Sequence, residues 1–197
     1  MQKVDARILL SPSDLNDYVN CRHLTTLERE VAHGERNRPH RSDESAKLLQ
    51  EKGELHELDF LELLRAEGRE VVDITKDDRW DYDAAAARTE EAMRAGADVI
   101  SQATFVIGRW RGRADFLMKV QRETSLGPWG YEALDAKLAR AEKPTYVLQL
   151  CFYSDGIAAV QGERPEHMHV HLGTGAPPHP LRYDDFSAYY HRVRNRL

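Results

Sequence analysis

The sequence predicts an α/β protein, a mixed central sheet with helices packed on it, and three observations carry that expectation. Leucines recur at roughly three- and four-residue intervals from Leu48 to Leu64, as they do in a long amphipathic helix. Apolar and polar residues alternate along 112–120 and 131–138, which reads as strands. A third, strongly apolar run over 144–159 is too long for a strand, and Pro144 suits its first turn because the missing N–H would have had no partner there. Helical and strand signals interleave along the chain, which favours a sheet covered by helices.

Taken in order, Ser11 can cap a first helix, with Pro12 at its first position and Asp14 near its positive end. That helix would run to about Val31. Residues 33–45 are polar, contain Gly34 and Pro39, and read as an exposed loop. A long second helix is expected over 41–66, with Leu48, Leu55, Leu58, Leu61 and Leu64 forming its buried stripe. Gly53 falls inside that helix, where it costs about 1 kcal/mol relative to alanine and so asks for a packing or close-approach explanation. A short strand follows at 71–74 and an alanine-rich helix at 83–95. Residues 99–108 and 112–120 form a hairpin, 131–138 a further strand, and 144–159 the helix behind it. One more strand and a final helix complete the order, with no internal repeat.

Composition sets outer limits. The 197 residues suffice for a single domain with a core. No apolar run reaches about eighteen residues and no signal-type start is visible, so a soluble, cytoplasmic protein without a membrane partner is expected. Two cysteines, Cys21 and Cys151, make no disulfide framework and agree with a reducing compartment. The net charge of −5 does not favour nucleic acid by itself, but its distribution matters more than its sum. Positive charge gathers at Arg109-Trp110-Arg111-Gly-Arg113 and again at Arg192, Arg194 and Arg196. The first cluster suits phosphates, with Trp110 stacking on a base, or is a solvated hairpin tip.

The chemistry concentrates in Gly112-Arg-Ala-Asp-Phe-Leu117 and Tyr131-Glu-Ala-Leu-Asp-Ala-Lys137. On neighbouring strands these would bring Asp115, Asp135 and Lys137 together on one sheet edge. By strict alternation Asp115 shares its face with Arg113 and Leu117, and Asp135 shares one with Lys137. Two carboxylates and a lysine on rigid elements suit metal-assisted phosphodiester hydrolysis. Asp115 alone would more simply be an edge or turn residue. His56 lies three residues after Gly53 in the long helix, and Gln149 and Tyr153 share a face of the apolar one. His167-x-His169-x-His171 puts three imidazoles on one strand face, too far apart for a single tetrahedral ion and with no acid partner close behind.

In this order, Gly-x-x-His, Gly-x-x-Asp, Asp-x-Lys and Gln-x-x-x-Tyr resemble the motifs of the RecB-like nucleases of the PD-(D/E)xK superfamily. The likeness extends to the CRISPR-associated RecB-type exonucleases and to helicase-associated nucleases. Ser11 to Cys21 resembles their opening helix, and Leu150 to Glu166 resembles their segment after the catalytic strand. The resemblance implies a restriction-endonuclease-like fold and a Mg²⁺- or Mn²⁺-dependent deoxyribonuclease. His56, Asp115, Asp135 and the Ala136 carbonyl would be the metal ligands. Lys137 would orient the attacking water or neutralise the phosphate, and Gln149 and Tyr153 would hold DNA or brace the ligands. An imidazole ligand would favour Mn²⁺. The implied setting is DNA repair, recombination or mobile-element defence, with single strands or ends as substrate and a helicase domain or subunit as partner. Many relatives carry an iron–sulfur cluster on four cysteines. Cys21 is the only matching ligand here, so no cluster is expected in this chain alone, and the single domain reads as truncated at its C-terminal end. The alternative is a non-cleaving nucleic-acid-binding module of a helicase-containing assembly.

Overall fold

The computed structural model describes residues 1–4, 7–39, 44–74 and 81–197. Three long strands with period-two patterning lie at its centre: β4 (Val99–Ile107), β5 (Trp110–Val120) and β6 (Gly130–Lys137). They pair antiparallel, and shorter strands extend the sheet on both sides. β3 (Val71–Asp73) adds parallel to β4, β7 (His167–Leu172) adds parallel to β6, and β8 (His179–Arg182) closes the edge antiparallel to β7. The result is a six-stranded mixed sheet in the order β3-β4-β5-β6-β7-β8. A separate two-stranded hairpin, β1 (Gln2–Val4) with β2 (Arg7–Leu9), precedes the helices.

Helices cover both faces. On one side α3 (Glu44–Ala66) presses Phe60, Leu61 and Leu64 onto Phe116, Leu134 and Ala136. On the other, α5 (Pro144–Gln161) packs Leu148, Cys151, Phe152 and Ile157 into the larger core with Ala114, Leu117, Ala133 and Val170. α5 is apolar nearly all round because α1 (Pro12–Asn20) and α6 (Asp184–Arg194) cover its outer side. α2 (Arg22–His33) follows α1, and α4 (Tyr82–Ala95) packs on β4. The expected cap is present: Ser11 N–H and Oγ–H both donate to Asp14 Oδ2, at 2.7 and 2.9 Å. α4 is capped by Asp81, whose carboxylate accepts from Asp83 and Ala84 N–H.

Several expectations are corrected. The first helix does not run through to Val31, because Cys21 takes an extended conformation (φ −159°, ψ 106°) that ends α1 and starts α2. The expected helix start at Arg41 and part of the 33–45 loop lie outside the described residues. β1, β2 and β8 are three or four residues long, too short for a period to show. The leucine stripe of α3 is buried only at its C-terminal end. Leu48, Leu55 and Leu58 are more than half exposed, while Leu61 and Leu64 are buried. From Leu55 to Leu64 the leucines recur every three residues, short of the 3.6 in a turn, so leucines spaced this way drift around the helix and do not keep to one face.

Two helical glycines separate two reasons for having no side chain. A methyl group at Gly53 would meet nothing within 4 Å, whereas at Gly156 it would collide with the Phe105 ring on β4. Gly53→Ala should therefore stabilise by about 0.5–1 kcal/mol. Gly156→Ala should destabilise by about 1–3 kcal/mol, because the clash outweighs the propensity gain. Urea unfolding of the two variants beside the parent measures both signs.

Candidate active site

β5 and β6 do not stay together over their full length. Their ladder runs from Val120 opposite Gly130 to Phe116 opposite Leu134 and ends there. Beyond that point β6 follows β7, with Asp135 opposite Val170 and Lys137 opposite Leu172. β5 instead keeps to β4, with Ala114 opposite Ala103. At the parting, the side chain of Asp115 takes over from the backbone: its Oδ2 accepts the Ala136 N–H at 2.8 Å. One step away on β4, between the Ser101–Phe116 and Ala103–Ala114 pairs, Gln102 adopts φ 56°. Among the described residues it is the one non-glycine at positive φ, a strained conformation that clusters at functional sites.

This irregularity breaks the alternation assumed for β5. Ala114 and Leu117 both join the α5-side core, whereas Phe116 packs under α3. Asp115 therefore does not share a face with Leu117. With Arg113 and Phe116 it lines an open cleft of about 540 Å³ on the α3 side, together with Glu54 and Glu57 of α3, Asp73 of β3 and Gln102 of β4.

Asp135 and Lys137 meet Asp115 at the parting, as the spacing suggested. Lys137 Nζ lies 2.8 Å from Asp135 Oδ2 and 3.7 Å from Asp115 Oδ2, and above the Tyr146 ring at 5.7 Å. Asp135 is completely buried, and neither of its carboxylate oxygens accepts a well-aligned hydrogen bond. Burial, and then the charge of Asp115, push its carboxyl well above the ordinary range, only partly countered by Lys137. Burial alone would draw the Lys137 ammonium down, but the carboxylates outweigh it and hold it above its usual value. Tyr153 is buried on α5, accepts the Gln149 amide at 3.0 Å, and is kept a neutral phenol by burial and by the charges of Asp135 and Asp115.

A third carboxyl, absent from the expectations, belongs to this group. Glu57 accepts the Gln102 amide at 3.2 Å. Burial, followed by the charge of Asp115, pushes it up to about 7 despite Lys137. The signal was in the sequence: Glu57 lies three, four and seven residues before Phe60, Leu61 and Leu64, the residues that α3 buries. Its neighbour His56 points elsewhere. That ring stacks on His171 at 5.0 Å, with Nε2 3.5 Å from the His171 carbonyl, and Phe60 stacks on His171 in turn. Ala136, expected to offer a carbonyl to a metal, is engaged through its N–H.

The basic cluster divides. Trp110 is buried against Phe152 and under the Arg194 guanidinium, so it is not open to a base. Arg111 and Arg113 lie over the Tyr82 ring at 4.3 and 5.4 Å, and Arg109 is exposed in the hairpin turn. The histidine row has the acid partner the sequence did not reveal: Glu132 of β6 pairs with His169 Nε2 at 2.7 Å and accepts the His167 backbone N–H at 3.0 Å. Cys21 is exposed and Cys151 is buried in α5, both as free thiols.

Whether these residues suit a hard divalent ion is a question of donors and of their present arrangement. Asp115, Asp135 and Glu57 offer oxygen ligands of the kind Mg²⁺ and Mn²⁺ take, and the unmet oxygens of Asp135 are what a bound cation would satisfy. Among the described residues, however, no three His, Cys, Asp or Glu side chains already surround one point as a metal would require. The donor set fits; Lys137 supplies the positive charge in the arrangement described.

No family model matches this chain, and no curated protein does. Among solved structures, the crystal structure of SSO0001 aligns over 99% of this chain and 79% of its own, at 11% identity and a TM-score of 0.40. That likeness is too distant to bear on fold family or function. The structure itself defines the coarser class, an α/β protein with a six-stranded mixed sheet flanked by helices. Among the described residues no helix is long and apolar enough to cross a membrane.

Glu57 supplies a pH test. Its folded value lies above its ordinary 4.5, so its contribution favours folding at low pH and is lost as pH rises through about 7. Glu57→Gln removes that loss. At pH 8 the variant should be more stable than the parent by on the order of 1 kcal/mol after solvent screening, and at pH 4 the two should coincide. Urea unfolding at both pH values reads the difference.

Proposed function

We propose that this protein is a metal-dependent nuclease of the PD-(D/E)xK, restriction-endonuclease-like class that hydrolyses DNA phosphodiester bonds. The observation that carries the reading is the meeting of Asp115, Asp135 and Lys137 where β5 and β6 part. Asp115 and Asp135 would hold Mg²⁺ or Mn²⁺, with Glu57 as the nearest further carboxyl. A bound divalent ion would supply Lewis-acid chemistry, polarising the phosphate and acidifying a water. Lys137 would face the charge that grows on the phosphate in the transition state, where a fixed ammonium in a partly buried site acts strongly. Glu57, held near neutrality, is suited to take or return a proton at the pH of the cell. Gln149 and Tyr153, bonded to each other on α5, would brace this arrangement, since the buried phenol is not open to DNA. His56, a ligand in the resemblance, is held by His171 and is left out of the proposed set.

One observation favours the non-cleaving alternative. Lys137 already neutralises the pair, and no three ligands stand ready among the described residues. A cleavage assay on single- and double-stranded DNA with Mg²⁺ or Mn²⁺ separates the two. The parent should cut in either metal and stop in EDTA. Asp135→Asn and Lys137→Gln, which keep side-chain bulk, should each slow cutting by about 100-fold or more. Cutting at the parental rate by either variant, or no cutting by the parent, would count against the nuclease reading.

A further inference from the structure

Arg22, Arg192 and Arg196 converge with Tyr18 and Tyr189 on a cleft of about 290 Å³ that α6 and the chain around the α1–α2 junction form. It shares no lining residue with the carboxylate cleft. Tyr189, Arg192 and Val193 stand at three- and four-residue offsets on one face of α6, and Arg196 follows in the turn just past its end. Val193 is buried and anchors that face, leaving both arginines and Tyr189 exposed. From the other wall Arg22 reaches in, its guanidinium 5.6 Å from the centre of the Tyr18 ring.

Charge is what makes the cleft unusual. Among the described residues no carboxylate lies within ion-pair reach of these three guanidiniums, whereas Arg194, between Arg192 and Arg196 in the chain, is bonded to Asp155 at 2.8 Å. Acidic residues outnumber basic ones 33 to 28, so unpaired arginines are not a by-product of excess positive charge. Three guanidiniums at one cleft repel each other and are offset best by a ligand that carries several negative charges. The planar fork of arginine matches phosphate oxygens, and an open tyrosine ring beside it matches the face of a base.

We propose that this cleft is a second nucleic-acid surface, which holds a single strand by its phosphates on Arg22, Arg192 and Arg196 and a base on Tyr189. The choice of nucleic acid as ligand rests on the nuclease reading, but its test does not, because binding is read with cleavage switched off. An acidic peptide would use the arginines and gain nothing from the ring.

The experiment is fluorescence anisotropy of a labelled oligothymidylate with the 197-residue chain in EDTA, over a series of salt concentrations. Arg192→Ala/Arg196→Ala should weaken binding at least roughly tenfold and lower the salt slope by about 1.4, the loss of two single-strand phosphate contacts. Tyr189→Ala should weaken it by roughly fivefold or more with the slope unchanged. Arg94→Ala, at an exposed arginine of α4 paired with Glu90 and outside both clefts, should bind as the parent does. Unchanged affinity and slope in the arginine variant, or polyglutamate competing as well as unlabelled oligothymidylate, would overturn the proposal. A parent that binds through these residues yet cuts nothing in any metal would sink the nuclease reading and leave this surface standing. Cutting with binding indifferent to these residues would do the reverse.

Discussion

Two strands that part company need something to occupy the gap, and in this protein a carboxylate does so. Where β5 turns to β4 and β6 to β7, the Ala136 N–H would be left in the interior without an acceptor, at a cost of a few kcal/mol. Asp115 provides the acceptor. The same hydrogen bond fixes the carboxylate beside Asp135 and within reach of Lys137. The strained Gln102 on the adjoining strand belongs to this local solution, since its side chain reaches across to Glu57. A single irregularity in the sheet thus assembles three carboxyls and an ammonium from α3, β5 and β6.

The arrangement is costly in isolation, which is the physical reason to read it as a site. A buried carboxylate without aligned hydrogen bonds, a second beside it and a third with its proton held to about pH 7 are not what stability alone would favour. One ammonium offsets part of that repulsion. A divalent ion would offset more, and an incoming phosphate would meet Lys137 where its own charge develops. The surrounding structure can carry this strain because both faces of the sheet are packed, by Phe60, Leu61 and Leu64 on one side and by the apolar length of α5 on the other.

Period and composition were enough to recover much of this from the sequence. The central strands, the long helices and the meeting of Asp115, Asp135 and Lys137 all follow from alternation and short spacings. The features that escaped depend on departures from the period. Positive φ at Gln102 breaks the two-residue alternation, so the face of Asp115 could not be derived from Arg113 and Leu117. The drift of a 3.6-residue helix put Glu57 toward Asp115 and His56 toward His171 on β7, although the row Glu57 shares with Leu61 and Leu64 was there to be read. Glu132 meets His169 only because β6 and β7 pair in parallel, a long-range register that no local pattern encodes. Trp110, beside three arginines in sequence, is drawn into the core by Phe152.

The central proposal is that the parting of β5 and β6 would provide a cation site governed by Asp115. Manganese binding followed by the ion's paramagnetic resonance signal, with no nucleic acid present, tests it most directly. The parent should take up Mn²⁺ at a saturable site, and Asp115→Asn should abolish that uptake. Equal uptake by the two proteins, or none by the parent, would contradict the account.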